Sequence, residues 1–224
     1  MNFYEGKEEI IIEWLLAAHD PAKAIIRNQV KQAEYKFFRE YIRDQKVLVC
    51  GSGLGHDSFE LAKYNTDILG VDILKPLLVY SRVEKIRLKL LNVDFSCLDL
   101  INVPTMVFDR LSGDFNYAVM NMGTVCNFDA DDQKKIISNV MKIVDTFYFS
   151  FYPPTRMALE IRQKMYTEEY WDKLWLVGTT IVSEDGLYSK SYTKRHFREI
   201  AKELGFKIKF HNLLDFVIMA EVTK

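Results

Sequence analysis

Cysteine is scarce in this chain. Only Cys50, Cys97 and Cys126 occur, and no two form a C-x-x-C pair. That argues against structural zinc and for a reducing, cytoplasmic setting. Histidine is equally thin, with His19, His56, His196 and His211 scattered along the sequence. No H-E-x-x-H, G-x-S-x-G or Ser/His/Asp arrangement is present to suggest a metalloprotease or a nucleophilic hydrolase. An excess of one charge is also missing. The 30 basic and 31 acidic residues leave a formal net charge of -1, which gives no electrostatic footprint for a nucleic acid. No apolar run nears the roughly 20 residues of a membrane span. Glu5, Glu8 and Glu9 precede the first apolar run, unlike the start of a secretory signal. The expectation is a cytoplasmic protein with no nucleic-acid and no membrane partner.

Apolar and aromatic residues are plentiful. Of 224 residues, 49% are hydrophobic, including 15 Phe, 12 Tyr and 3 Trp. That is enough for one domain with a sizeable core, or one domain with a cap. The most informative stretch is Val47-Leu48-Val49-Cys50-Gly51-Ser52-Gly53-Leu54-Gly55, followed by His56-Asp57-Ser58-Phe59-Glu60-Leu61-Ala62. It reads as a buried strand, a three-glycine turn and the opening of a helix. The glycines permit a tight reversal and close approach to the backbone, and the helix start directs its amides at whatever sits there. A second apolar run, Ile68-Leu69-Gly70-Val71, ends on Asp72. A carboxylate about 20 residues past a glycine turn is placed to hold a ribose diol. A dinucleotide fingerprint requires glycine where His56 stands, and no G-x-x-x-x-G-K-[ST] phosphate loop is present.

The G-x-G-x-G turn with Asp72 resembles the class I (Rossmann-like) S-adenosylmethionine-dependent methyltransferases. The resemblance covers roughly residues 44–150 and 191–224, and is weak between them. It implies a three-layer α/β fold whose mostly parallel sheet receives its last strand antiparallel. It also implies S-adenosylmethionine as cofactor, bound by Gly51, Gly53, Gly55, Asp72 and Ile73, by Asp99 and Leu100 after the third strand, and by Asn121 after the fourth. Asp99 matches the family's acid for the adenine amine, with a loop-capping aspartate as the alternative, and Asn121 to Thr124 would face the sulfonium and the acceptor. Two positions depart from the pattern. Asn116 replaces the aspartate that usually opens the fourth strand. Val49 stands where most members carry an acid that helps to hold the methionine amino group; either Asp57 or backbone carbonyls of the turn would take over that work, or cofactor affinity is low.

Taken in order, residues 1–45 read as an N-terminal helical cap and 46–224 as the Rossmann-like domain. Asp20 and Pro21 suit a helix start, and Ala22, Ile25, Ile26, Val30, Ala33, Phe37 and Tyr41 form an apolar stripe. That helix either covers the sheet edge or acts as a lid, with Tyr4, Trp14, His19 and Arg27 as candidates for acceptor contact. Asp129, Asp131 and Asp132 begin a helix and suit its dipole, so no metal site is expected. Residues 155–190 read as a helix and a small β-hairpin turning at Asp185-Gly186. The resemblance implies that this is the acceptor region, with Tyr152, Arg156, Tyr166, Tyr170, Trp171 and Tyr188 as candidates; the alternative for each is a place in an aromatic core under the hairpin. Thr193 caps a last helix that Gly205 ends; residues 206–210 and 216–222 read as two closing strands joined by His211 to Leu214.

Methyl transfer needs orientation and a dry site more than a nucleophile–base motif, and a base only if the nucleophile arrives protonated. No catalytic residue is assigned from the sequence. The expected function is methyl transfer from S-adenosylmethionine to a small-molecule acceptor. The alternatives are a non-catalytic cofactor-binding or partner subunit, and a nicotinamide enzyme. A homodimer stays open.

Overall fold

A computed structural model describes Ile12 and residues 24–168, 173–184 and 186–224. It contains helix α1 (Ile25–Tyr41), then β1 (Lys46–Cys50), α2 (His56–Ala62), β2 (Asp67–Asp72), α3 (Lys75–Arg87), β3 (Val93–Cys97), α4 (Thr105–Leu111) and β4 (Tyr117–Met120). After β4 come a short 3-10 turn (Thr124–Asn127), α5 (Ala130–Ile143), β5 (Thr146–Phe151), α6 (Arg156–Glu168), β6 (Leu174–Val177), β7 (Thr180–Ser183) and β8 (Tyr188–Lys190). The chain closes with α7 (Lys194–Leu204), β9 (Lys207–Leu214) and β10 (Val217–Thr223).

Seven strands form one sheet in the order β3-β2-β1-β4-β5-β10-β9. The first five are mutually parallel, and β10 runs antiparallel to both β5 and β9. The strand order reverses between β1 and β4, and in open α/β sheets a ligand crevice lies at the carboxyl ends of such strands. Both faces of the sheet are covered, so the central strands are apolar on both sides. Leu48, Cys50, Ala118, Phe147 and Phe149 face the core shared with α5, α6 and α7. Val47, Val49, Val119 and Tyr148 face Phe37 and Phe38 of α1 and Phe59 and Leu61 of α2. The expected three-layer sheet with an antiparallel last strand is what the chain forms.

Some element boundaries differ from the sequence reading. The insertion is a three-stranded antiparallel sheet, β6-β7-β8, and not a hairpin alone. β6 escaped notice because Trp175, Leu176 and Val177 are exposed and the segment is only four residues long. His211 to Leu214 lie within β9 and pair with β10, across a register shift at Val217/Ile218; the polar His-Asn pair imitates a turn. On α1 the buried face is Ile26, Val30, Glu34, Phe37 and Phe38, while Ile25 and Tyr41, at its two ends, are exposed. Asp20 and Pro21 lie outside the described residues.

Candidate functional site

The turn after β1 is shaped by backbone conformation. Gly51, Gly53 and Gly55 all have positive φ, at 68°, 52° and 86°. Gly55 is further constrained by packing, since a Cβ there would meet the rings of Phe59 and Phe95 at 2.8 and 2.9 Å. The turn is tied down by Ser52 N–H donating to Val71 O at 3.0 Å and Gly55 N–H donating to Ser52 O at 2.9 Å. Asp72 completes it. Its Oδ2 accepts from Gly53 N–H and its Oδ1 from Leu74 N–H, both at 2.9 Å. Burial pushes the Asp72 carboxyl up, opposed by these backbone N–H groups and that of Ile73. Next to it the Ile73 side chain is left 41% exposed, an apolar wall beside the acid.

The other cofactor candidates divide. Asp99 folds back on its own loop, accepting from Ile101 N–H at 2.8 Å, Asn102 N–H at 3.3 Å and the Asn102 amide at 2.8 Å. The loop-capping alternative therefore describes its present contacts. Leu100 is partly buried, and its carbonyl accepts from the Asn139 amide at 3.0 Å. Asp57, in the first turn of α2, accepts from the Tyr35 hydroxyl at 2.6 Å. Asn121 follows β4 and is only 4% exposed, yet neither its Nδ2 nor its Oδ1 has a hydrogen-bond partner among the described residues. A native side chain with both polar atoms buried and unpaired calls for a partner. Val49, where the resemblance leads one to expect an acid, is buried among apolar residues.

Behind Asn121 lies a cluster that sequence reasoning missed. Glu34 on α1 is fully buried; its Oε1 accepts from Met122 N–H at 2.9 Å, and its Oε2 has no hydrogen-bond partner among the described residues. Burial, then the charge of Asp57, raises the Glu34 carboxyl to about 8, opposed by Ser150, the Met122 N–H and Lys31. Met122 and Gly123 both adopt positive φ, at 58° and 64°. The turn they form is held by Gly123 N–H donating to Ser150 Oγ at 2.9 Å and Tyr152 Oη donating to Met122 O at 3.1 Å. The signal for Glu34 was in the sequence, as a carboxyl four residues from Val30 on the apolar face of a helix. His56, at the start of α2, is held down to about 4 by burial and by Lys31.

The acceptor candidates are not gathered as a set. Tyr4, Trp14, His19, Tyr170 and Trp171 lie outside the described residues. Arg156 points to solvent with its side chain 92% exposed and pairs with Glu160. Tyr188 sits half-exposed on β8. Tyr152 and Tyr166 are brought together around Arg162, another residue the sequence did not mark. The Arg162 guanidinium is fully buried, lies 4.6 Å from the centre of the Tyr152 ring, and donates to Ser191 Oγ at 2.5 Å and to Ser189 O and Oγ at 2.7 Å. Tyr166 donates to the same Ser189 Oγ at 2.8 Å. Arg162 therefore fastens the small sheet to the end of β5. Among the described residues no group of three or more His, Cys, Asp or Glu is arranged to hold a metal, and no helix is long and apolar enough to cross a membrane.

No family model matches the sequence, and no curated protein matches it either. Solved structures do match. A Pyrococcus horikoshii protein is 18% identical at a TM-score of 0.70, over 92% of this chain and 96% of its own. Magnesium protoporphyrin IX methyltransferase from Synechocystis, with bound SAH (S-adenosylhomocysteine), is 13% identical at 0.67, over 100% and 97%. A Burkholderia thailandensis 1,6-didemethyltoxoflavin-N1-methyltransferase, with bound 1,6-didemethyltoxoflavin and S-adenosylhomocysteine, is 11% identical at 0.62, over 97% and 89%. At these identities the likeness establishes the fold: this chain is built as the Rossmann-like S-adenosylmethionine-dependent methyltransferases are.

Proposed function

We propose that this protein is an S-adenosylmethionine-dependent methyltransferase acting on a small-molecule acceptor. The observation that carries the reading is the Asp72–Gly53 clamp at the carboxyl ends of β2 and β1, beside the topological switch point between β1 and β4. Its residues fit the cofactor. Gly51 and Gly53 carry no side chain into the turn, Asp72 offers two carboxylate oxygens to a diol, and Ile73 supplies an apolar surface for a purine face. The unpaired amide of Asn121 stands after β4, where a bound ligand would satisfy it.

When bound, the cofactor supplies a methyl group already activated on a positively charged sulfur. The chain's own residues then bind, orient and exclude water. Gly51 and Gly53 let the ligand approach the backbone, Asp72 fixes the ribose, and α1 covers the turn after β4 through the Glu34–Met122 contact. A small acceptor is favoured by the net charge of -1 and by the compact β6-β7-β8 sheet beside Tyr152 and Arg162. Two structures of the same fold come from enzymes named for magnesium protoporphyrin IX and 1,6-didemethyltoxoflavin.

The test is calorimetric titration of the full chain with S-adenosylmethionine, followed by a methyl-release assay over a panel of small acceptors. Micromolar binding and turnover with one acceptor class are expected. Binding of NADH in place of S-adenosylmethionine would overturn the reading. A second reading, a cofactor-binding subunit without catalysis, is favoured by Val49; it predicts binding without turnover on any acceptor.

A further inference from the structure

The buried carboxyl of Glu34 has no part in the reading above beyond its contact with Met122. We propose that Glu34 of α1 and Asp57 of α2 together receive the positively charged part of the cofactor, and that Glu34 gives up its proton to solvent as the cation enters. The inference rests on the methyltransferase reading and deepens it.

Three observations converge on this pair. The first is the absence of a carboxylate on β1, since Val49 is sealed among Phe38, Val119 and Tyr148. The second is an open valence. Glu34 Oε1 is anchored to Met122 N–H, while Oε2 is buried and unpaired beside a chain turn whose neighbouring residue, Asn121, also has both polar side-chain atoms buried and unpaired. The third is a second acid close by. Asp57 is fixed by the Tyr35 hydroxyl at 2.6 Å, and its charge reaches Glu34.

Among the described residues, the groups that act on Glu34 come from several elements. Lys31 and Tyr35 share α1, Asp57 belongs to α2, Met122 follows β4, and Ser150 and Tyr152 come from β5 and its end. Among the described residues the charge of Lys31 lowers Glu34 and that of Asp57 raises it. Without a second cation one acid stays protonated, because burial and a like charge both disfavour a second carboxylate; Glu34, raised to about 8, is that acid. A cation placed between them reverses the balance. The only bond broken is the Glu34 O–H, and its proton goes to buffer.

S-adenosylmethionine carries two positive centres, a sulfonium and a primary ammonium, and the experiment separates them. Calorimetric titrations of the full chain at pH 7 with S-adenosylmethionine are run in two buffers of different ionisation enthalpy. Wild-type protein is expected to release close to one proton per site. Glu34→Gln, which keeps an oxygen for Met122 N–H, is expected to release almost none and to bind about tenfold or more weakly. S-adenosylhomocysteine keeps the ammonium and lacks the sulfonium. Proton release retained with it assigns the ammonium, and release lost assigns the sulfonium; either supports the pair. Binding of S-adenosylmethionine without proton exchange, or Glu34→Gln with wild-type release, overturns the inference and leaves the methyltransferase reading standing. No binding at all overturns that reading, and this one with it.

Discussion

Asp72 and Gly53 are joined by a hydrogen bond of 2.9 Å from the glycine N–H to Oδ2. The acid that ends β2 thus holds the turn that ends β1, and it does so while its other oxygen fixes Leu74 at the start of α3. Shape and charge at the crevice therefore depend on one side chain. Each carboxylate oxygen retains a further lone pair for an incoming hydroxyl.

Removing that side chain is the first test. Asp72→Ala frees two backbone N–H groups and takes away the diol acceptor, so affinity for S-adenosylmethionine should fall about ten- to a hundredfold. Asp72→Asn, with one carbonyl oxygen left, should fall between the two. Unchanged calorimetric affinity in Asp72→Ala would remove the acid from the site.

Glu34 makes stability depend on pH in a stated direction. An unfolded glutamate titrates near ~4.3, whereas the folded one is raised to about 8. Between these values the folded protein holds a proton that the unfolded chain releases. The contribution is fully present below the unfolded value and is lost as pH rises through about 8. Urea-unfolding free energies measured from pH 5 to 9 should therefore decline with pH in the wild type, and this component of the slope should vanish in Glu34→Gln. Parallel curves for the two proteins would show that the carboxyl is not held neutral.

The turn after β4 has a steric test. Gly123 has φ at 64°, and a Cβ on it would lie 2.1 Å from Cε2 of Tyr152. Tyr152 is buried, with Arg162 over its ring and its hydroxyl on Met122 O, so it has no room to yield. Gly123→Ala should cost about 3 kcal/mol or more, combining backbone strain with overpacking, and should lower the thermal midpoint accordingly. A variant as stable as wild type would mean that the Tyr152 ring is free to move.

Much of the architecture was legible because its causes are local. Val47 to Cys50 are apolar throughout, as a strand covered on both faces must be, and the glycines after them admit only a turn. Thr193 and Gly205 mark the ends of α7, and Thr193 Oγ1 does accept from His196 N–H at 3.1 Å. The parts not legible are those decided by distant partners. Glu34 meets Met122, 88 residues away, and no periodicity encodes which loop a buried carboxyl on an apolar helix face will touch. Arg162 meets Ser189 and Ser191 across the insertion, and β6 is a strand because β7 pairs with it, through Trp175 opposite Val182 and Leu176 opposite Ile181. At Asp99 the sequence left a purine contact and a loop cap both open, and its oxygens cap the loop of Ile101 and Asn102.

Arg162 supplies the last prediction. Its guanidinium is buried with hydrogen bonds only to Ser189 and Ser191, and no carboxylate pairs with it among the described residues. A buried cation of this kind is stabilised by oriented oxygens and by the Tyr152 ring, and those oxygens in turn depend on it. Arg162→Met fills a similar volume but leaves the Ser191 hydroxyl and one lone pair of Ser189 without a donor. Charge-assisted hydrogen bonds contribute roughly 1.5–3 kcal/mol each, partly offset here by relief of the buried charge, so a net loss of about 3 kcal/mol is expected. Because the bonds anchor β8, the loss should be local first. Amide hydrogen exchange should quicken in residues 174–184 and 186–190 while β1, β2 and β4 stay protected. Uniform exchange across both sheets would show that the small sheet does not rely on Arg162 for its attachment.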